Sequence, residues 1–287
     1  MGRPFRFGVQ ASGADTRSAW VALARRVEGY GYSTLTMPDH LNEQLAPVPA
    51  LMAAADATTT LRVGALVFDN DFKHPAVLAK ELATMDVLSD GRVEVGIGAG
   101  WLRADYEAAG LPYDPPGVRI DRMVESIRVL KALLGDGPAT VTGEHYRVAG
   151  DGLPKPVQRP RPPILVGGGG RRLLGVAARE ADIVGINGTL TAGAVGPDVL
   201  ASLRAETVDD RVAWVRKAAG ERFAGIARAL QLDPADVASS PFALIGTPAQ
   251  IAEDLEARRE RWGFSYVIVG PEDVDAFAPI VAELSGR

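Results

Sequence analysis

The sequence predicts an α/β fold in which eight parallel strands and their helices close into a (β/α)8 barrel, a TIM barrel. Short apolar runs alternate with amphipathic stretches along the chain, a pattern typical of a parallel sheet with right-handed crossovers. Eight such units are present, and 287 residues fit the typical barrel size of about 250 with room for an insertion. An open, doubly wound sheet is the alternative arrangement of the same units.

Each predicted strand is a short apolar run, as expected for strands that are buried on both faces. The first and third runs also alternate, with apolar side chains at every second position. In chain order the eight predicted strands are residues 5–10, 33–37, 61–67, 93–97, 164–166, 182–186, 242–245 and 266–269.

Helices are predicted where apolar residues recur at helical spacing or a capping signal precedes them. Trp20, Leu23 and Val27 mark the first helix, Pro75 suits the first turn of the third, and Thr247 caps a later one. The other helices are expected at residues 48–57, 120–134, 171–180 and 209–230, and at the end of the sequence.

Residues 136–163 interrupt the repeating pattern. They contain a predicted hairpin, residues 140–148 with a turn at Gly143, followed by a proline-rich loop at residues 154–163. We interpret this segment as an insertion in the barrel and not as a linker, so residues 1–287 are predicted to form a single domain.

Composition and charge exclude several classes of protein. The absence of cysteine rules out disulfides, thiolate metal sites and a cysteine nucleophile, and three histidines leave little room for a histidine-rich metal site. The net charge of −5 argues against nucleic-acid binding, and no apolar run reaches membrane-spanning length. No leader segment is recognised, so we expect a cytoplasmic protein that binds a small-molecule substrate and no metal.

The active site of such a barrel lies at the carboxyl ends of its strands, so the residues that follow each strand carry the chemistry. After the second strand come Asp39 and His40. Residues 68–71, 98–101 and 167–172 follow the third, fourth and fifth strands. We expect these four segments to converge at one mouth.

Four consecutive glycines, Gly167, Gly168, Gly169 and Gly170, stand between a predicted strand and a predicted helix. Bare backbone N–H groups at a helix N-terminus accept a phosphate, and Arg171 or Arg172 would add a charge-assisted contact. A tight turn without a ligand is the alternative. The spacing matches neither a dinucleotide fingerprint nor a P-loop.

The glycines at positions 96, 98 and 100 precede Trp101 and also miss the dinucleotide spacing. They would let a flat ligand approach the end of the fourth strand closely, or they would relieve crowding at the barrel rim.

His40 is the candidate for proton transfer, because histidine titrates near neutral pH. Asp39 is its sequence neighbour but need not touch it, since adjacent residues on a strand point to opposite faces. A structural hydrogen-bonding role is the alternative for His40. Asp69 and Asp71 are interpreted as a polar loop and not as metal ligands, and Arg119 and Arg122 as a solvated helix face.

Several segments, in the same order along the chain, resemble the bacterial luciferase-like flavin and deazaflavin oxidoreductases. The most specific is residues 88–92 leading into residues 96–101. The other matching segments are residues 30–40, 59–64, 74–80, 162–168 and 245–248. The likeness covers nearly the whole chain, is weakest at residues 188–240, and is greatest to the branch that uses coenzyme F420, an 8-hydroxy-5-deazaflavin.

The resemblance implies hydride transfer between a deazaflavin ring at the mouth and an organic substrate, with His40 managing the proton. It places Asp39 beside the ring, and a bulge near Val67 and Phe68 behind it. It also implies a homodimer. The residues implied on the tail and phosphate side are Gly98, Ala99, Gly100, Trp101, Gly167, Gly168, Gly169 and Gly170.

Two positions depart from the sugar-phosphate dehydrogenases of that family. Trp101 stands where those enzymes have a glutamate, and their tryptophan shortly after the histidine is replaced by residues 41–44. These differences argue against glucose 6-phosphate and favour a more apolar or aromatic substrate.

Three alternatives to an F420-dependent oxidoreductase stay open. The first is a monooxygenase of the same fold that uses reduced FMN and oxygen. The second is a flavin-binding protein without catalysis, and the third is a barrel lyase or isomerase that holds a phosphorylated substrate in the glycine loop. Titration with each cofactor separates the first two from the third.

Overall fold

The computed structural model describes residues 3–150, 153–190, 193, 202, 204–231 and 243–287. Eight strands, all paired in parallel, form a closed barrel in the spatial order β1-β10-β9-β8-β7-β4-β3-β2, and β1 also pairs with β2. They are β1 (Arg6–Gln10), β2 (Thr34–Met37), β3 (Arg62–Asp69), β4 (Val93–Gly98), β7 (Ile164–Gly168), β8 (Ile183–Ile186), β9 (Ala227–Gln231) and β10 (Phe264–Val269). The predicted closed barrel is therefore confirmed.

Helices surround this barrel. They are α1 (Arg17–Gly29), α2 (Pro47–Asp56), α3 (Pro75–Leu88), α4 (Arg103–Ala109), α5 (Pro116–Leu134), α6 (Arg171–Glu180), α7 (Ala205–Ala219), α8 (Pro248–Trp262) and α9 (Val274–Leu284). The predicted capping signals are present: Pro75 opens α3, and Thr247 forms a capping box with Gln250 ahead of α8. Within the described ranges, no helix is long and apolar enough to cross a membrane.

The predicted insertion forms an antiparallel hairpin outside the barrel, made of β5 (Ala139–Thr142) and β6 (Arg147–Gly150). The Gly143 amide donates to the Tyr146 carbonyl at 2.9 Å and closes the turn. The carboxylate of Glu125 on α5 accepts hydrogen bonds from the amides of residues 144–146 and so fixes the hairpin tip to the long helix.

The seventh barrel strand is not where the sequence analysis places it. Residues 243–245 form no strand, and Phe242 lies outside the described residues. The strand is β9 instead, which overlaps the end of residues 209–230, a segment predicted to be helical. Alanine, arginine and leucine in β9 are good helix formers, but pairing with β8 and β10 closes the barrel and overrides that preference.

The barrel interior has an apolar side and a polar end. Side chains that meet inside it are Leu165, Ile183, Ala227, Ala229, Tyr266 and Ile268. At the amino ends of the strands, the buried Glu94 carboxylate pairs with both Arg6 and Arg62, the latter at 2.8 Å. This charged cluster fills the amino end, so the opposite end of the barrel is the one available to a ligand.

Candidate active site

His40 lies at the carboxyl end of β2, where its ring is held by a residue that the sequence analysis did not single out. The Nδ1 atom of His40 is 2.7 Å from Oδ2 of Asp105 on α4, and the other oxygen of Asp105 accepts the Leu41 amide at 3.0 Å. An ionised carboxylate only accepts, so Nδ1 carries the proton in this arrangement. Among the described residues, Nε2 has no hydrogen-bond partner. The dyad therefore presents one free ring nitrogen for proton transfer.

Trp101 and Leu41 give the surroundings of His40 an apolar character. The Trp101 ring meets the His40 ring edge-on, with centroids 5.7 Å apart and planes at 87°. Leu41, the residue that follows His40, is 48% exposed. Apolar surface next to a proton-transfer group suits an organic substrate better than a highly charged one.

Asp39 makes no hydrogen bond or ion pair with His40. Its Oδ2 atom instead accepts the Asp69 amide at 3.2 Å, which ties the end of β2 to the end of β3. Burial raises the pKa of Asp39 above its ordinary value, although this backbone hydrogen bond opposes the shift.

The predicted bulge in β3 is present. The register with β4 shifts between Ala65 and Phe68, and the Leu66–Val67 peptide is cis. Gln10 at the end of β1 donates to the Leu66 carbonyl at 2.6 Å across the barrel. Val67 packs against the apolar interior, whereas the Phe68 side chain lies in the core between barrel and helices. A ligand at the mouth would meet Val67 and, at most, the backbone of Phe68.

Asp69 and Asp71 belong to a polar network, as the sequence analysis predicts, and no group of metal-ligating side chains occurs in the described part of the chain. The Tyr106 hydroxyl donates to Asp71 at 2.9 Å, and Arg122 donates to both oxygens of Asp71 at 2.8 and 2.9 Å. Burial, reinforced by the charges of Asp71 and Asp39, raises the pKa of Asp69 to about 7.

The glycines at the end of β4 are packed against the protein itself. A Cβ on Gly96 would lie 2.1 Å from the Ala65 carbonyl oxygen, and one on Gly98 would lie 2.5 Å from the Val67 side chain. Close approach to the bulged strand β3 therefore accounts for both glycines, which is the crowding alternative of the sequence analysis. Contact between Gly98 and a cofactor stays a prediction.

Arg119 fixes the segment that follows β4. It is 3% exposed and donates to the carbonyls of Ala99 and Gly100, so the predicted solvated face for this residue is wrong. The Tyr113 hydroxyl donates to the Trp101 carbonyl at 2.8 Å. These contacts hold the Trp101 backbone beside the mouth.

The glycine loop, residues 167–170, joins β7 to the N-terminus of α6 as predicted. Gly169 packs so tightly against the loop after β8 that a Cβ there would lie 2.4 Å from the Gly188 carbonyl oxygen. Arg171 is exposed and makes no hydrogen bond or ion pair with the described residues, while Arg172 pairs with Asp121 at 2.5 Å. Of the two predicted phosphate contacts, Arg171 is the available one.

Asp105 and Arg211 complete the site's framework and were missed from the sequence. Asp105 lies in the first turn of α4, where a carboxylate is favoured, and that position was its only signal. Arg211 on α7 donates to the Gly169 carbonyl behind the glycine loop.

Residues 4–219 match the family model described as luciferase-like monooxygenase. The chain belongs to the luciferase-like monooxygenase family. This match covers β1 to β8, which include six of the eight barrel strands, and it includes every site residue described above.

Among curated proteins, the chain is 34% identical over 170 residues to an FMNH2-dependent dimethylsulfone monooxygenase of Pseudomonas putida. That match spans 59% of this chain but only 44% of the relative's length. Proteins of solved structure share the fold at low identity. A coenzyme F420-dependent tetrahydromethanopterin reductase from Methanopyrus kandleri has a TM-score of 0.79 at 18% identity over 98% of each chain. A long-chain alkane monooxygenase has a TM-score of 0.80 at 15% identity, covering 99% of this chain and 92% of its own.

Proposed function

We propose that this chain is a coenzyme F420-dependent oxidoreductase that acts on a small apolar or aromatic organic substrate. The observation that carries the proposal is the His40–Asp105 dyad at the mouth, with Nδ1 engaged at 2.7 Å and Nε2 without a partner among the described residues. The motif resemblance to the F420-using branch supports the choice of cofactor.

The residues at the mouth fit a phosphorylated deazaflavin. The amides of residues 169–173 have no acceptor among the described residues, so they offer a row of donors to a phosphate at the start of α6. Arg171 would add a cation beside them. Val67 and Trp101 offer apolar surface for the ring.

When bound, the deazaflavin supplies a ring carbon that exchanges a hydride with the substrate. His40 gives or takes the accompanying proton at Nε2, and Asp105 holds the imidazole in the tautomer that leaves this nitrogen free. Trp101 and Leu41 orient an apolar substrate and exclude water from it.

An FMN-dependent monooxygenase is the second candidate, favoured by the 34% identity to the dimethylsulfone monooxygenase. Titration of the purified protein with F420, and separately with FMN in its oxidised and reduced forms, distinguishes the two. We expect F420 to bind more tightly. Tight FMN binding without F420 binding would overturn the first proposal in favour of the second.

His40→Ala tests the catalytic part of the proposal against a flavin-binding protein without activity. The variant should still bind the cofactor but lose hydride exchange with substrates of the apolar class. His74→Ala is the matched control, because His74 caps α3, accepting from the Ala76 amide at 3.2 Å. Cofactor binding without hydride exchange in the unmodified protein would favour the non-catalytic alternative.

We further propose that the protein forms a homodimer through α3. Val77 and Leu88 are 54% and 67% exposed and lie eleven residues apart, about three helical turns, on one face. Light scattering on the intact protein and on Leu88→Lys should show a dimer that the substitution weakens.

A further inference from the structure

Arg211 is a buried cation behind the glycine loop. It lies on α7, is 2% exposed, and its hydrogen bonds to the described residues all go to neutral acceptors. Its Nε atom is 3.1 Å from the Gly169 carbonyl, Nη1 is 2.7 Å from the Ser202 carbonyl, and Nη2 is 3.0 Å from the Thr189 hydroxyl. One side chain thus links three separate segments at the mouth.

No carboxylate pairs with this guanidinium in the part of the chain that the structure describes. Burial accordingly lowers the pKa of Arg211 from its ordinary value, and no charged group among the described residues offsets the effect. A buried charge without a counter-charge is costly, so the site gains when an anion approaches it.

The same hydrogen bonds determine how the glycine loop is oriented. The carbonyls of Gly168, Gly169 and Gly170 accept from the Asn187 amide, Arg211 and the Leu174 amide, at 3.1, 3.1 and 3.0 Å. All three carbonyls are therefore engaged with the protein, while the amides of residues 169–173 have no acceptor among the described residues. A loop held this way presents donors and not acceptors to a ligand.

We propose that Arg211 is a positioning residue for the phosphate end of the cofactor, an inference that rests on the proposed function. Its guanidinium holds the Gly169 carbonyl away from the ligand and supplies the positive charge that the loop lacks. Arg211 acts indirectly, by orienting the loop and by the electrostatic attraction of its charge for the phosphate. Arg171 and the free amides make the direct contacts with the phosphate.

Binding of cofactors with and without the phosphate tests this role. FMN and riboflavin form one pair, which differs only in the phosphate. F420 and its deazaflavin nucleoside form a second pair, in which the nucleoside lacks both the phosphate and the tail attached to it. Arg211→Met removes both the positive charge and the guanidinium that donates the three hydrogen bonds. Arg211→Lys keeps the charge but not the guanidinium. The control is Arg222→Met, because Arg222 likewise donates to three acceptors, here the carbonyls of Ala178, Arg179 and Ala181 at the opposite end of α6.

We expect Arg211→Met to weaken the phosphate-bearing cofactor by on the order of tenfold or more and to leave its phosphate-free partner unchanged. The affinity of Arg211→Lys for the phosphate-bearing cofactor should lie between those of Arg211→Met and the unmodified protein. Arg222→Met should lower thermal stability without altering the ratio of the affinities for the two members of a pair. An equal loss for both members of a pair would overturn the proposal.

Inorganic phosphate separates this inference from the proposed function. If the unmodified protein binds neither ring, but phosphate raises its melting temperature in a way that Arg211→Met abolishes, the cofactor assignment fails and the role of Arg211 stands. If neither ring nor phosphate has any effect that depends on Arg211, the inference itself is wrong.

Discussion

Asp105 and His40 are 65 residues apart in sequence, yet Oδ2 of the first and Nδ1 of the second are only 2.7 Å apart. The same carboxylate accepts the Leu41 amide, so it holds both the imidazole and the backbone that carries it. Asp105 is 4% exposed, which shields this contact from water. The proposed acid–base residue, His40, is thus oriented by a helix that follows a different strand.

Asp105→Asn should change the tautomer of His40. An asparagine offers either an acceptor or an amide donor to Nδ1, so the imidazole is no longer held with its proton on that atom. Nitrogen-15 NMR of the imidazoles measures the tautomer directly, and the three histidines make assignment simple. Once a substrate has been identified, the turnover of Asp105→Asn should be lower by about 10²-fold or more, while its affinity for the cofactor stays unchanged. An unaltered His40 spectrum in Asp105→Asn would contradict the positioning role.

Asp69→Asn should make the protein relatively more stable as the pH rises. The folded-state pKa of about 7 lies above the ordinary value of 3.8, so ionisation of Asp69 costs stability between those pH values and above them. We expect the advantage of Asp69→Asn over the unmodified protein to grow by about 2 kcal/mol between pH 5 and pH 8. Urea unfolding at both pH values measures it, and an advantage that does not change with pH would contradict the prediction.

Glu28→Gln should lose stability at neutral pH. The Glu28 carboxylate accepts the amides of Thr59, Thr60 and Leu61 at 2.8, 2.6 and 3.0 Å, joining the end of α1 to the start of β3. Burial would raise the pKa of Glu28, but these bonds together lower it, so the stabilisation is present above the ordinary value and is lost as the pH falls through the folded-state pKa.

Because Glu28 is only partly buried and lies beside exposed threonines, we expect a loss of only about 1 kcal/mol at pH 7 for Glu28→Gln. The difference should shrink in acid, and equal curves for the two proteins at pH 7 would show that the carboxylate charge contributes nothing.

Gly100→Ala should destabilise the loop that positions Trp101. Gly100 has a φ of +69°, and a Cβ there would lie 1.8 Å from the Tyr106 hydroxyl oxygen. Gly110→Ala is the matched control, with a φ of +66° and no atom within 4 Å of its added Cβ. We expect about 1 kcal/mol of destabilisation from backbone strain in the control and about 2 kcal/mol more in Gly100→Ala. Equal losses of stability in the two variants would mean that Tyr106 moves to accommodate the added methyl group without destabilising the protein.

The barrel and the position of His40 could be predicted from the sequence because both follow from local periodicity. A histidine just after an apolar run falls at the mouth of any barrel of this kind. Partners that are distant in sequence could not be predicted this way. The pairing of Asp105 with His40 depends on the path of α4, and the burial of Arg119 depends on carbonyls at the end of β4. Strand β9 was missed for a related reason, since its helix-forming residues become a strand only when β8 and β10 flank them.

The charged cluster at the amino end of the barrel also bears on kinetics. Because Glu94, Arg6 and Arg62 fill that end, any two ligands inside the barrel would enter and leave through its carboxyl end. Under the proposed function, a flat ring that lies against Val67 would have to bind before a substrate that covers it and would leave after the product. Order of binding is then imposed by the architecture of the barrel, and it would persist even if the substrate had the greater affinity.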